Sequence, residues 1–192
     1  FDSAVTIATD AIDRLHSTAS AHQRVMVIEV MGHKAGWIAL HSGMAGGGDI
    51  ILLPEIPFDI HRIGDAIINR LKKGKPYSIV VVAEGIPTIG GKKAAQYIAE
   101  EIEYETGFET RETVLGYIQR GGSPTAYDRN LATRMGGHAT ELIAQGMFGR
   151  MVALKGNAIE SVPLSEVASK LKLVTEDHDL VVQGRRMGIC FG

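Results

Sequence analysis

Cysteine is almost missing from this sequence: Cys190 stands alone among 192 residues. A single thiol cannot form an internal disulfide, so a reduced, cytoplasmic setting is the simplest reading. An excess of charge of either sign is also lacking. Lys and Arg total 20 against 22 Asp and Glu, a net charge of −2. That gives no basic field for nucleic acid, and no charge run suggests a membrane surface or an acidic tail. No apolar stretch approaches the roughly 20 residues of a membrane span, and no signal peptide is visible. An initiating Met is missing as well. The sequence opens at Phe1 in what reads as mid-element, so we expect a fragment of something longer.

Several catalytic signatures are absent. No glycines show the G-x-G-x-x-G spacing of a dinucleotide site. Gly85 to Gly90 has the glycine interval of a Walker loop, but Gly91 stands where Lys is required, and Lys92 and Lys93 supply no hydroxyl for Mg²⁺. There is no G-x-S-x-G elbow, and the seven histidines contain no H-x-x-x-H pair, which leaves serine-hydrolase and metal-site readings without support.

Glycine, by contrast, is abundant: 23 residues, where a share of about 7% is ordinary. The glycines gather at 43–48, 85–91 and 121–122, as tight loops between elements. With 45% hydrophobic residues, the chain can build one sizeable core or two small ones. Helical and strand patterns alternate, which predicts an α/β layered fold with a mostly parallel sheet.

Ala4, Val5, Ala8, Ile12 and Leu15 lie at helical spacing. Val25–Val30 reads as a strand and Ala35–Met44 as a packed helix. Asp49–Leu53 is a nearly continuous apolar strand of the kind buried on both faces. Asp59 is a good N-cap for a helix burying Ile60, Ile63, Ile67 and Leu71 and stopping at Gly74. Ser78–Ala83 is the strongest buried strand. Ala94, Ala95, Ile98 and Ile102 form a helix closed by Gly107. Thr113–Tyr117 extends towards QRGGSP, where Ser123 can cap a helix with Pro124 in its first position. Leu131, Met135, Ala139, Leu142 and Ile143 define that long helix, ending at Gly146. Met151–Leu154 and Ala158–Val162 are short strands before a weakly patterned tail.

In such a layout, ligands bind just outside the carboxyl ends of the strands. Glu84 follows one strand directly, Met31-Gly32-His33 closes another, and Arg120 lies in QRGGSP between a strand and a helix start. An Arg fork beside free helix N–H groups suits a phosphate. Each has a plainer alternative: Glu84 as a turn cap, Met31 as core, Gly121-Gly122 as a turn. Arg24 and Arg111 lie at the opposite strand ends, so within one subunit they cannot reach the ligand of Arg120. The residues alone point to binding of a phosphorylated small molecule.

The ordered set HQRVMVIEVMGHKAGWIAL, AGGGDIILLPE, KKGKPYSIVVVAEG, ETGFETRETVLGYIQRGGSP and YDRNLATRMGGHA closely resembles the bacterial-type 6-phosphofructokinase family, from Phe1 to about Lys155. The resemblance implies a three-layer, Rossmann-like α/β fold, present here incompletely. It implies that Met31 and Gly32 lie against the sugar, Glu84 bonds fructose hydroxyls, and Arg120 holds the 6-phosphate. Arg24 and Arg111 are then the arginines lent to that phosphate by a neighbouring subunit, which makes the protein a homo-oligomer. Tyr117 stands where many members carry His against the phosphate; a phenol offers one neutral hydrogen bond and no imidazolium charge. His33 replaces the usual Arg near the transferring phosphate. Asp49, Lys73 and Lys75 match an effector pocket, with Asp49 at its metal-associated position, while His16 replaces an arginine there. The plain alternative for Lys73 and Lys75 is a helix carboxyl end carrying cations.

The resemblance further implies that the catalytic Asp loop, the glycine-rich donor loops and most of the Mg²⁺ site lie upstream of Phe1. The chain is then the acceptor-binding half of an enzyme phosphorylating fructose 6-phosphate from ATP or diphosphate, inactive alone. The rival is a non-catalytic sugar-phosphate module of the same fold. Residues 1–112 are expected in the smaller sugar-binding domain, 113–162 in the larger donor domain, and 163–192 back in the first.

Overall fold

The computed structural model describes residues 1–192. Its contacts divide the chain into two compact units, one of Ala4–Gly122 with Leu173–Gly192, the other of Phe1–Ser3 with Ser123–Lys172.

In the first unit, helices α1 (Asp2–His22), α2 (Trp37–Ala45), α3 (Ile60–Lys72) and α4 (Ala94–Thr106) alternate with strands β1 (Val25–Val30), β2 (Ile50–Leu52), β3 (Ser78–Ala83) and β4 (Thr110–Val114). The strands form one sheet in the order β2-β3-β1-β4, every neighbouring pair parallel. All six residues of β1 and all six of β3 are buried. Their side chains alternate between two cores, as a strand period of two requires. Met26, Ile28, Ile79 and Val81 face one core with Ile12 and Leu40, while Val25, Val27, Val80 and Val82 face the other with Ile63, Ile67, Ile98 and Ile102. Helices therefore cover both faces, and the layers are α/β/α.

The tail adds a final piece to the sheet edge. Near the carboxyl end of the sequence, helix α7 (Asp179–Arg186) delivers Cys190 to β2, where Cys190 N–H donates to Asp49 O at 3.1 Å and Ile51 N–H to Cys190 O at 2.9 Å. This segment showed little pattern in the sequence because its anchors are backbone groups plus a few side chains, among them Val181 and Phe191 in the first core.

Local signals explain most helix ends. Asp59 accepts from His61 N–H at 2.9 Å and starts α3. Gly107, at φ 71°, ends α4 in the left-handed conformation that glycine adopts without penalty. The start of α4 is different. Lys93 provides no side-chain cap, and the first turn is capped from the sheet: Glu29 in β1 reaches across the interior and its Oε2 accepts Ala95 N–H at 2.9 Å.

The second unit contains α5 (Ala126–Ala144), the antiparallel hairpin of β5 (Arg150–Lys155) and β6 (Ala158–Pro163), and the single turn α6 (Leu164–Val167). Ser3 donates to Asp128 Oδ2 through both its N–H (2.9 Å) and its hydroxyl (2.7 Å), and these bonds hold the Asp128 carboxyl at a pKa of about 2.

Several expectations need correction. Leu71 is 44% exposed, because the Ile63–Ile67 stripe of α3 turns away from it in the last turn. The extended run expected over Thr113–Tyr117 stops at Val114, the end of β4, and the chain becomes a 3₁₀ turn, Gly116–Arg120, once Leu115 N–H has bonded Glu29 O. The cap of α5 is Thr125, whose Oγ1 accepts from Asp128 N–H, so Ser123 and Pro124 lie before the helix. Of the expected α5 stripe only Leu142 is buried; Ile143 is exposed. The compact units divide after Gly122, and β4 is hydrogen-bonded to β1 as a strand of the first unit's sheet.

Glu29 provides a direct test of the helix-to-sheet cap. Glu29→Ala removes the only acceptor offered to Ala95 N–H and opens a void, and should cost about 2–3 kcal/mol. Glu29→Gln keeps an acceptor oxygen and should cost clearly less. Urea unfolding midpoints of the two variants check the difference.

Candidate functional site

Parallel pairing brings the carboxyl ends of β1, β3 and β4 to one edge. Val30 pairs with Ala83 and Glu29 with Val114, so Met31-Gly32-His33, Glu84 and the 3₁₀ turn follow side by side. The structure therefore gathers Met31, Gly32, His33, Glu84, Tyr117 and Arg120 at the same edge of one unit.

The main chain after β1 is held from both sides. Glu84 Oε1 accepts Gly32 N–H at 3.0 Å and His33 N–H at 2.6 Å. Met31 N–H donates to Gln119 Oε1 at 2.7 Å. Two glycines are obligatory here. A Cβ on Gly32 would lie 2.5 Å from Ala35 O, and one on Gly85 would lie 2.1 Å from His33 O. His33 itself is left-handed at φ 55° and exposed.

Arg120 closes the 3₁₀ turn with its guanidinium 5.6 Å from the centroid of the Tyr117 ring. Both side chains are exposed, Tyr117 to 81%. The Arg therefore stands over an aromatic face with its donor fork available, and the phenol hydroxyl faces solvent beside it.

Arg24 and Arg111 are not part of this group. Both converge on Glu109: Arg24 Nε donates to Oε2 at 2.6 Å and Arg111 Nη2 to Oε1 at 2.5 Å. They sit at the amino ends of β1 and β4. The six-residue β1 separates them from Met31 by about 20 Å at the rise of an extended strand. Glu109, which aligns them, is not among the residues singled out from the sequence; an acid immediately before T-R-E is the signal that could have found it.

The remaining candidates cluster near the amino ends of β2 and β3. Asp49 is committed: Oδ1 pairs with Arg70 Nη2 at 2.8 Å and Oδ2 accepts Ile79 N–H at 2.9 Å. Burial raises its pKa, opposed by the Ile79 N–H and by Arg70. Lys73 and Lys75 are exposed at the carboxyl end of α3. His16 packs edge-on to Tyr77, with Nε2 2.7 Å from Gly46 O and Nδ1 3.2 Å from the Tyr77 hydroxyl. No group of three or more His, Cys, Asp or Glu side chains in the chain is arranged to hold a metal ion.

Gln119 went unnoticed in the sequence, between exposed residues in an apparent loop. The signal that could have found it is an amide flanking the glycine pair at a strand end, where main-chain N–H groups need partners.

The family model for phosphofructokinase matches residues 1–143. The chain is 82% identical over its whole length to an ATP-dependent 6-phosphofructokinase 3 of Bacteroides thetaiotaomicron and 53% identical to an ATP-dependent 6-phosphofructokinase of Spirochaeta thermophila, and it spans 57% of each. Among solved structures, a pyrophosphate-dependent phosphofructokinase from Nitrosospira multiformis aligns with 91% of this chain and 49% of its own, at a TM-score of 0.79 and 28% identity. Phosphofructokinase from Saccharomyces cerevisiae aligns with 85% of this chain and 23% of its own, at a TM-score of 0.77 and 31% identity. The chain spans little more than half the length of the curated relatives it matches, and over the length it does span it belongs to the phosphofructokinase family.

Proposed function

We propose that this chain is the acceptor-binding part of a phosphofructokinase, which in its full-length form transfers a phosphoryl group to the 1-hydroxyl of fructose 6-phosphate. The observation that carries the reading is the gathering of Glu84, Met31-Gly32 and Arg120 at one strand edge in a chain of this family. ATP is the favoured donor, because the relatives at 82% and 53% identity bear ATP-dependent names. Mg²⁺ accompanies such a donor and neutralises its phosphates, and this chain supplies no cluster to hold it. The setting is glycolytic and cytoplasmic; no helix here is long and apolar enough to cross a membrane.

Each residue then has a task its position allows. Arg120 takes the 6-phosphate through a charge-assisted fork, and Tyr117 adds one neutral donor. Glu84 spends Oε1 on the main chain and keeps Oε2 for a sugar hydroxyl. Met31 and Gly32 give the sugar a wall without bulk, and His33 stands next to them on the side of the transferring phosphate. The unit of Ala4–Gly122 with Leu173–Gly192 serves as the sugar-binding domain, and Ser123–Lys172 belongs with the donor domain. Arg24 and Arg111, already aligned by Glu109, reach the phosphate of a neighbouring subunit in a homo-oligomer.

In the full-length protein, Arg120→Ala should weaken fructose 6-phosphate by about 2–3 kcal/mol, roughly two orders of magnitude in KM, with little change towards the donor. Steady-state kinetics with ATP, and in parallel with diphosphate, measure both effects and identify the donor. An unchanged sugar-phosphate KM would remove Arg120 from the site.

The shared site predicts complementation. Arg24→Ala and Glu84→Ala homo-oligomers should each be impaired, and co-assembled subunits should regain activity, because mixed interfaces pair an intact arginine with an intact acid. Hybrids no more active than their parents would count against the cross-subunit role.

Nucleotide activation should be weak or absent. A dianionic terminal phosphate needs several fixed cations to leave water. Lys73 and Lys75 are available, but Asp49 is tied to Arg70 and Ile79, and His16 to Gly46 and Tyr77. Titrating ADP at sub-saturating fructose 6-phosphate tests this, and a saturable activation abolished by Lys73→Ala would overturn it.

A further inference from the structure

Gln119 is out of keeping with its segment. Tyr117, Ile118 and Arg120 around it are exposed, yet Gln119 is only 3% exposed. Its Oε1 accepts Met31 N–H at 2.7 Å, while its Nε2 is buried and finds no hydrogen-bond partner in the protein. A buried amide satisfied at one end is a poor choice for stability. A Met of similar length would forfeit one hydrogen bond and also remove one orphaned donor, two effects of opposite sign.

What the amide does, and Met cannot, is tie two strand ends together. The N–H groups of Met31, Gly32 and His33 all go to side chains. Gln119, which follows β4, takes the first, and Glu84, which follows β3, takes the other two. The segment after β1 is thus slung between its two neighbours. Glu84 fixes Gly32 and His33 relative to β3, and the Leu115 N–H bond to Glu29 O fixes where the 3₁₀ turn begins; Gln119 adds the tie between the segment after β1 and the body of that turn.

We propose that Gln119 is a positioning residue of the acceptor site: through Met31 it sets the separation between the Met31-Gly32 wall and the Tyr117–Arg120 phosphate turn. This rests on reading the site as one for fructose 6-phosphate. The ligand's phosphate and its 1-hydroxyl lie at opposite ends of one small molecule, so wall and turn must be held at a fixed distance for both ends to be engaged together. Displacements of about 1 Å between groups that share a ligand are enough to matter at this scale.

Two substitutions in the full-length protein test it. Gln119→Met removes the acceptor with little change in volume; Gln119→Glu retains an acceptor oxygen. Amide hydrogen exchange at Met31 to His33 reads the tie without any substrate, and should be about tenfold faster or more in Gln119→Met. In the same variant KM for fructose 6-phosphate should rise about tenfold, with kcat, donor KM and melting temperature little changed. The carboxyl of Gln119→Glu offers Met31 N–H an acceptor oxygen whether ionised or protonated, so exchange at Met31 to His33 should stay close to that of the unsubstituted protein. At a pH low enough to protonate the introduced carboxyl, KM for fructose 6-phosphate should do the same. Should Gln119→Met fail to fold, Gln119→Ala, which also removes the acceptor, carries the same exchange and KM test against Gln119→Glu. Unchanged exchange, or faster exchange with an unchanged sugar-phosphate KM, would overturn the proposal, and so would a parallel loss of donor affinity and melting temperature. Failure of the unsubstituted protein to use fructose 6-phosphate would instead overturn the functional reading, leaving the exchange result to judge the tie alone.

Discussion

Parallel pairing of β1 with both β3 and β4 decides where chemistry can occur in this molecule. In the central strands of a parallel sheet covered on both faces, side chains are apolar and the polar main-chain groups left over are at the strand ends. Here the carboxyl ends of three strands stop within one residue of one another in the register, at Val30, Ala83 and Val114. The next residues of each chain segment must then find hydrogen-bond partners at one edge. They find them in one another's side chains, which is why Glu84 and Gln119 are at once anchors of the backbone and neighbours of a candidate ligand.

The same economy appears inside the sheet. Glu29 is buried in the middle of an apolar strand, a placement that would be costly for a group without a partner. Its side chain supplies the cap that α4 lacks in its own sequence, and its main-chain carbonyl accepts Leu115 N–H as β4 gives way to the 3₁₀ turn. One residue thus fixes a helix on one side and the start of the 3₁₀ turn on the other. The packing of the sheet and the geometry of its edge are one problem.

Charge is distributed by strand polarity. The amino ends of β1 and β4 carry Arg24 and Arg111, held by Glu109, while Arg120 stands at the far edge over Tyr117. A bridging acid between two arginines offsets their mutual repulsion and keeps both forks at a surface. This pair of arginines thus lies at the opposite end of the strands from Arg120.

Much of the fold was readable from residues alone. Val25–Val30 and Ser78–Ala83 coincide with their strands, and Asp59 and Gly107 mark helix ends, because unbroken apolar runs, an acid cap and a left-handed glycine act over a few neighbouring residues. The candidates at the strand ends, Glu84, Met31-Gly32 and Arg120, were legible for the same reason, once the α/β alternation was seen. What tertiary structure decided are the contacts that join distant segments. Gln119 with Met31, Glu29 with Ala95, Asp49 with Arg70 and Ile79, and Cys190 with β2 each depend on register and packing between elements far apart in the chain. A side chain's local sequence states its chemistry; only the assembled sheet determines which backbone group it will face.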